Sequence, residues 1–488
     1  MRPEEGGTRK ISPPLTLPHR QDRNDRVAFE GLAARWLALL FVLYGLIATA
    51  FLAINIPPFQ NPDEPAHFLR GAQIADGRLV GRRFSSTDAG GLPQVTAGDW
   101  VDGAVLAAME PSRILSSHGD IRATRLTWAP GIGWSDKRVM ASFPNTVVYP
   151  PLFYIPSAIG VLCGRLAHLN VVQTLVVSRM LTGVAAVALS VTAIACAGTA
   201  AVWIFAILTL PMSLSLIASS SQDALLLACS ALAGALWIRI LRSSSERNGK
   251  ALAGLALTLG LIAMARPPYV ALAITPLGLI NLRWRSRLWT AASVMALATA
   301  WSGIAAATAL TNTGAPLGAD PQAQLTQLSG DPLLVLSIAW ATLKQYGHAY
   351  FEEFIGVLGW LDTKLPGAYY KVAGAVIGVA AIAATSRQAG ERTSIQSQVA
   401  LAVGLLLSAA GVFAIQYLTW TEPGHPVVEG VQGRYFLPLA LAGTGLLQLP
   451  GWALRPRIRS ILVVLVGLFP LVTLAIVMRT VILRYYLQ

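Results

Sequence analysis

Charge is what this chain has least of. Charged residues make up 12% of its 488 positions and hydrophobic residues 54%, where a soluble globular chain carries about 25% charged. A soluble fold has too few charges here to cover so much apolar surface, and a disordered chain would lack the apolar residues. Cysteine is nearly absent. Cys163, Cys196 and Cys229 all lie in apolar stretches, which excludes a disulfide framework and a zinc ribbon and leaves the redox compartment unread. Acids are scarcer than bases, 24 against 37, for a net charge of +13. That excess need not mean a nucleic-acid partner, and none is expected. The basic residues gather in short segments between apolar runs, which is the positive-inside pattern of a membrane protein. The expected partner is the lipid bilayer, and the expected fold class is all-α, a polytopic transmembrane helical bundle. Oligomeric state is not legible.

Apolar runs fall at 32–56, 149–164, 172–197, 200–218, 222–241, 250–265, 267–281, 288–310, 368–385, 396–418, 435–449 and 460–482. The polar, Pro-rich segment 1–31 has no apolar core of a signal peptide and reads as a cytoplasmic tail. Arg242, Arg285, Arg392 and Arg457 mark the basic turns expected on the cytoplasmic side. Twelve crossings would give the wrong parity. The run at 149–164, short and opening Tyr149-Pro150-Pro151, is therefore expected to dip into the outer leaflet without crossing. About eleven spans result, with twelve or thirteen as the alternative. The division is an N-terminal membrane module, 32–310, containing an outer loop at 57–170; a second outer loop, 311–367; and a C-terminal module, 368–488. Both outer loops are expected to carry short amphipathic helices. One starts at Asp331-Pro332, with Leu333, Leu336 and Trp340 on an interfacial face. The setting is a bacterial-type inner membrane with the N-terminus inside.

This topology gathers a small set of polar residues on the outer face. After the first run comes Asn61-Pro62-Asp63-Glu64-Pro65-Ala66-His67-Phe68-Leu69-Arg70. Asn61 suits an N-cap and Pro62 a first helical residue, which places Asp63 and Glu64 in the first turn, where the helix dipole favours acids. Asp63, His67 and Arg70 are spaced to share one face. The segment reads either as a capped helix start or as a carboxylate at the membrane surface suited to general-base chemistry. Asp223 opens a later run after Ser219-Ser220-Ser221-Gln222 and also reads as a cap or a site acid. Arg179, Arg266 and Arg434 lie in or beside apolar runs. A single Arg there snorkels to headgroups; three on the face where positive charge is disfavoured suit a phosphate group, which guanidinium binds with a planar fork. Glu352, Glu353 and Asp362 flank Trp360, either as an interfacial belt or as a wall for sugar hydroxyls. His67 and His348 have no metal-site spacing around them. The sequence requires no cofactor; a divalent ion, if used, would fall to Asp63 and Asp223.

The order of these pieces resembles the GT-C glycosyltransferase superfamily, with an acidic pair in the first outer loop, an Arg at the head of the next span, an acid opening a later span and a second long outer loop. More closely, NPDEPAHFLRG, YPPLFY, SSQDALLL, ARPPY, GVLGWLD and QGRYFLP, spread over about residues 55–440, are similar to the bacterial DUF2142 family of membrane proteins. The GT-C resemblance implies an inverting transferase that moves a sugar from a polyprenyl-phosphate donor to a glycan or lipid acceptor outside the membrane, in cell-surface glycan assembly. It implies Asp63 as the catalytic acid position, Glu64 and Asp223 as acidic companions, and Arg266, Arg179 and Arg434 near the donor phosphate. His67 and Arg70 are grouped with the substrate-binding set. No acid follows Asp223, so the second acidic motif of metal-dependent relatives is missing. A transporter or flippase of an anionic lipid-linked substrate, and a polymer ligase with a diphosphate donor, stay open as alternatives.

Overall fold

The computed structural model describes residues 20–87, 91, 93–117, 131–242, 249–311, 319–385, 394–448 and 454–487. Arg392 and the tail up to residue 19 lie outside these. The architecture is a polytopic α-helical bundle. Among the described residues, seven helices are long and apolar enough to cross a membrane: Gly31–Asn55, Val171–Cys196, Asp223–Arg242, Trp284–Thr308, Gly367–Ala384, Ile395–Trp420 and Pro456–Leu487. Each exceeds or approaches the ~20 residues a ~30 Å hydrocarbon core requires.

The other apolar runs expected to cross are not single long helices; one bent pair counted as one span brings the number among the described residues to eight. The reason lies in their prolines and glycines. The run at 200–218 breaks at Pro211 into Gly198–Leu208 and Pro211–Ile217, bent by 81°. Pro267, Pro268 and Pro276 hold Pro267–Gly278 in tight 3₁₀ turns. The run at 435–449 divides into Gly433–Phe436, Leu437–Ala442 and Gly443–Leu447, with Pro438 in the second piece. Proline removes a backbone donor and crowds the preceding turn. The pieces at 151–166 and 249–265 are helical but short.

Val171–Cys196 is the central post. It packs on the first helix, on Ile155–Leu166 and on Asp223–Arg242. Its buried face is built of small and hydroxyl residues, Ser178, Thr182, Gly183, Ala186 and Ser190, which permit the close approach typical of membrane helices.

The loop at 57–170 holds short helices as expected, among them Glu64–Ala75 and Ile155–Leu166, and also a sheet that was not expected. The sheet is three-stranded and antiparallel, Arg82–Thr87, Pro93–Asp102 and Arg138–Ser142 in that order, with Arg83 opposite Ala97 and Trp100 opposite Met140. One helix, Gly103–Ser117, follows the second strand. Ala97 and Val101 point into a core with Phe59, Phe68 and Leu69, so the sheet braces the acidic segment. Gly98 is required in the sheet, since a Cβ there would collide with the Ala141 carbonyl. Arg83 donates to the carbonyls of Leu310 at 2.8 Å and Ala307 at 3.2 Å, satisfying the otherwise unpaired C-terminal end of the Trp284–Thr308 helix.

In the loop at 311–367 the helix expected at Asp331 begins at Leu334 and runs to Ile355. Asp331 accepts from the Leu333 N–H at 3.1 Å. Leu333, Leu336 and Trp340 are all exposed. Beyond it a short hairpin pairs Val357–Leu358 with Thr363–Lys364. Its turn uses Gly359 and Leu361 at positive φ.

Candidate functional site

The first helix ends at Asn55, and Pro57-Pro58 stop it. The chain turns through Phe59, at φ 63°, and the next helix begins at Glu64 rather than Pro62. Asp63 therefore precedes the helix instead of sitting in its first turn. It adopts the left-handed conformation, φ 58° and ψ 8°, and its side chain makes no capping hydrogen bond. That conformation is tolerated by Asp better than by most residues, yet it stores strain. Its effect is to aim the carboxylate away from the helix.

The carboxylate meets Arg434, whose Nη2 donates to Asp63 Oδ2 at 2.7 Å. Arg434 Nε donates to Gln432 Oε1 at 2.6 Å, and Nη1 lies 3.5 Å from Asp223 Oδ2. The other oxygen of Asp223 accepts from Arg266 Nη2 at 2.8 Å. Asp63, Arg434, Asp223 and Arg266 thus form one chain of alternating charge, drawn from four distant parts of the sequence. The Tyr435 ring lies beside both guanidinium groups, 4.5 Å from Arg266 and 5.4 Å from Arg434. Tyr269 donates to the Tyr435 carbonyl at 2.5 Å, tying the Arg266 turn to the Arg434 turn. The exposures differ sharply: 40% for the Asp63 side chain, 6% for Asp223 and 2% for Arg434. Burial pushes the Asp63 carboxyl up, but the Arg434 guanidinium against it outweighs this and holds it below the ordinary carboxylate range.

Glu64 and Arg179 are a separate pair. Arg179 Nε and Nη2 donate to the two Glu64 oxygens at 2.8 and 2.5 Å, and its remaining bonds go to the carbonyls of Ala53, Ile56 and Pro57. Both side chains are buried. Ser220 N–H donates to Glu64 at 3.3 Å, which ties this pair to the loop bearing Asp223. The structure does not bring Glu64 or Arg179 into the alternating chain.

His67 and Arg70, expected to share a face with Asp63, also go inward. Arg70 holds Gln73 and the carbonyls of Leu79 and Tyr149. His67 Nδ1 is 2.7 Å from the Tyr154 hydroxyl, and its ring stacks on Tyr149 at 6.2 Å. Burial pushes His67 down to about 4, so it is neutral at pH 7. The sign of the pH effect follows. Between about pH 4 and the ordinary value near 6.5 the unfolded chain binds a proton that the folded protein refuses, so stability is lost as pH falls through that window. The apparent melting temperature of purified protein is expected to drop from pH 7 to pH 4.5, and His67→Gln is expected to flatten that slope. An unchanged slope would remove His67 as the cause.

The segment 350–360 packs against the site. Glu353 accepts from the Gly433 N–H at 2.6 Å, immediately before Arg434. Trp360 Nε1 donates to the Phe59 carbonyl at 3.1 Å. A Cβ at Gly433 would collide with the Tyr350 carbonyl. Asp362 turns to Arg484 and Glu352 to Lys364, away from the chain of charge. Neither Tyr435 nor the Tyr149–His67–Tyr154 stack was expected from the sequence; the aromatics closing YPPLFY and flanking Arg434 were the signal for them. Metal ligation does not fit. Among the described residues no three His, Cys, Asp or Glu side chains group to hold an ion, Arg434 stands between Asp63 and Asp223, and His348 is 84% exposed beside Glu352.

All six segments singled out in the sequence meet here or in the contacts that brace it. No curated protein matches the chain. A family model described as predicted membrane protein (DUF2142) matches residues 46–442, which takes in every member of the charged chain, and the protein belongs to that family.

Proposed function

We propose that this protein is an integral membrane glycosyltransferase that moves a sugar from a polyprenyl-phosphate donor to an acceptor hydroxyl at the outer face of the membrane. The observation that carries the reading is the solvent-accessible Asp63 carboxylate paired with Arg434 and linked through Asp223 to Arg266 in one cluster. Asp63 takes the proton of the acceptor hydroxyl. The acceptor oxygen forms its bond to the anomeric carbon as the bond from that carbon to the phosphate oxygen breaks. The leaving lipid phosphate gains one negative charge, and Arg434 and Arg266 stabilise it as it develops. A single displacement of this kind inverts the anomeric centre. The proton leaves Asp63 through its exposed edge.

In this reading Glu64 and Arg179 hold the site together rather than touch substrate, and His67 and Arg70 fix the helix carrying it. The test is incubation of the purified full-length protein in nanodiscs with a panel of polyprenyl-phosphate sugars, following release of polyprenyl phosphate. Release from at least one donor that is abolished in Arg434→Gln is the expected result. No release from any donor, with an acceptor-containing membrane extract present, would overturn the reading.

A further inference from the structure

We infer that Asp63 is a displaceable stand-in for the donor phosphate, so that a phosphate group binding Arg434 expels the Asp63 carboxylate and so readies it as the base. The inference rests on the transferase reading above and deepens it.

Three observations carry it. First, the cluster is already neutral. Asp63 and Asp223 alternate with Arg434 and Arg266, so an added phosphate leaves an excess of negative charge unless a carboxylate gives way. Second, the two carboxylates are not equally free to leave. Asp223 is 6% exposed and bridges both guanidinium groups. Moving it would leave a charge buried and unpaired, which is strongly disfavoured. Asp63 is 40% exposed, makes one contact to Arg434 and no capping bond. Water can solvate it once released. Third, the guanidinium groups have donors to spare. Arg434 Nη1 and Arg266 Nε are buried and make no hydrogen bond, the nearest carboxylate oxygen to Nη1 being Asp223 Oδ2 at 3.5 Å. Buried donors are ordinarily paired, and these two belong to the residues that flank Asp223. One non-bridging oxygen of the donor phosphodiester takes the place of Asp63 on Nη2, and the other is available to these donors.

The exchange also resolves a conflict in the resting geometry. A carboxylate gripped by Arg434 is a weak proton acceptor, because the cation favours its charged form. Release from Arg434 raises its basicity only when donor is present.

The test is equilibrium binding of radiolabelled polyprenyl phosphate, and separately of inorganic phosphate, to full-length protein in nanodiscs. Removing the competing carboxylate is expected to tighten binding, by about tenfold or more if one charge-assisted contact no longer has to be broken. Asp63→Asn and Asp63→Ala are both measured, so that an amide bond to Arg434 is separated from the loss of charge. Arg434→Gln is expected to weaken binding by about the same factor. Tightening with both probes supports exchange for any phosphate group; tightening with the polyprenyl probe alone supports exchange for a lipid-borne one. Wild-type binding that neither Asp63 variant tightens overturns the exchange and leaves the transferase reading standing. No binding to any of the proteins overturns both.

Discussion

Asp63→Asn is expected to give a folded protein that binds donor at least as well as the wild type and turns it over about 10²–10⁴-fold more slowly, the usual cost of a missing general base. Capping predicts something else: a slightly less stable and fully active protein, losing only about 0.3–1 kcal/mol of helix-dipole energy. The structure already bears on that contrast, because the Asp63 side chain makes no capping hydrogen bond and instead pairs with Arg434. The informative signature is the split between binding and rate. A group that only holds Arg434 in place would, on neutralisation, weaken donor binding along with turnover. A base whose resting partner is the donor's own binding site would lose rate while affinity holds or rises. Release of polyprenyl phosphate in single-turnover assays, with donor affinity measured on the same preparations, checks both halves. An Asn variant with near-wild-type turnover would remove Asp63 from the proton transfer.

How far the sequence announces this site depends on the kind of residue. The long spans are legible because ~20 apolar residues in a row have few other destinies. The runs broken by Pro211, Pro267, Pro276 and Pro438 are not, since hydropathy counts apolar residues without registering where the backbone bends. The sheet at 82–142 escapes notice because its strands mix Arg, Ser and Asp with few alternating apolar positions, and its core contacts come from Phe59 and Phe68 outside it. Within the site, the out-of-place charges identify Asp63, Asp223, Arg266 and Arg434, as the cost of burying them suggests. What charge alone could not show is the pairing. Arg179, Arg266 and Arg434 look uncompensated in sequence, yet each one lies against a carboxylate. Nor does helical periodicity separate Asp63 from His67 and Arg70: that argument assumes Asp63 is within the helix, and a left-handed residue just ahead of it points elsewhere.

The same pairing decides the role of Arg179, and here the largest loss of stability is expected. As a phosphate ligand, Arg179 would need donors facing the site. Its donors are instead engaged by Glu64 and by the carbonyls of Ala53, Ile56 and Pro57, the groups that a helix C-terminus leaves unpaired. Arg179→Ala would strand a buried carboxylate and three carbonyls together. Breaking one side of a buried ion pair costs about 3–5 kcal/mol, so the variant is expected to yield little folded protein, or protein melting well below the wild type. Arg179→Lys keeps the charge but not the fork that grips Glu64 bidentately, and should fall between. Arg434→Gln supplies the contrast, since Asp223 keeps Arg266 and Asp63 is open to water. It should melt close to the wild type while losing donor binding. Replacing both partners, Glu64→Gln with Arg179→Met, should recover part of the loss, because no lone charge remains buried. Apparent melting temperatures in one detergent, with donor binding measured below the transition, separate the alternatives. An Arg179→Ala protein that melts like the wild type and no longer binds donor would return Arg179 to the phosphate and dismiss the strut.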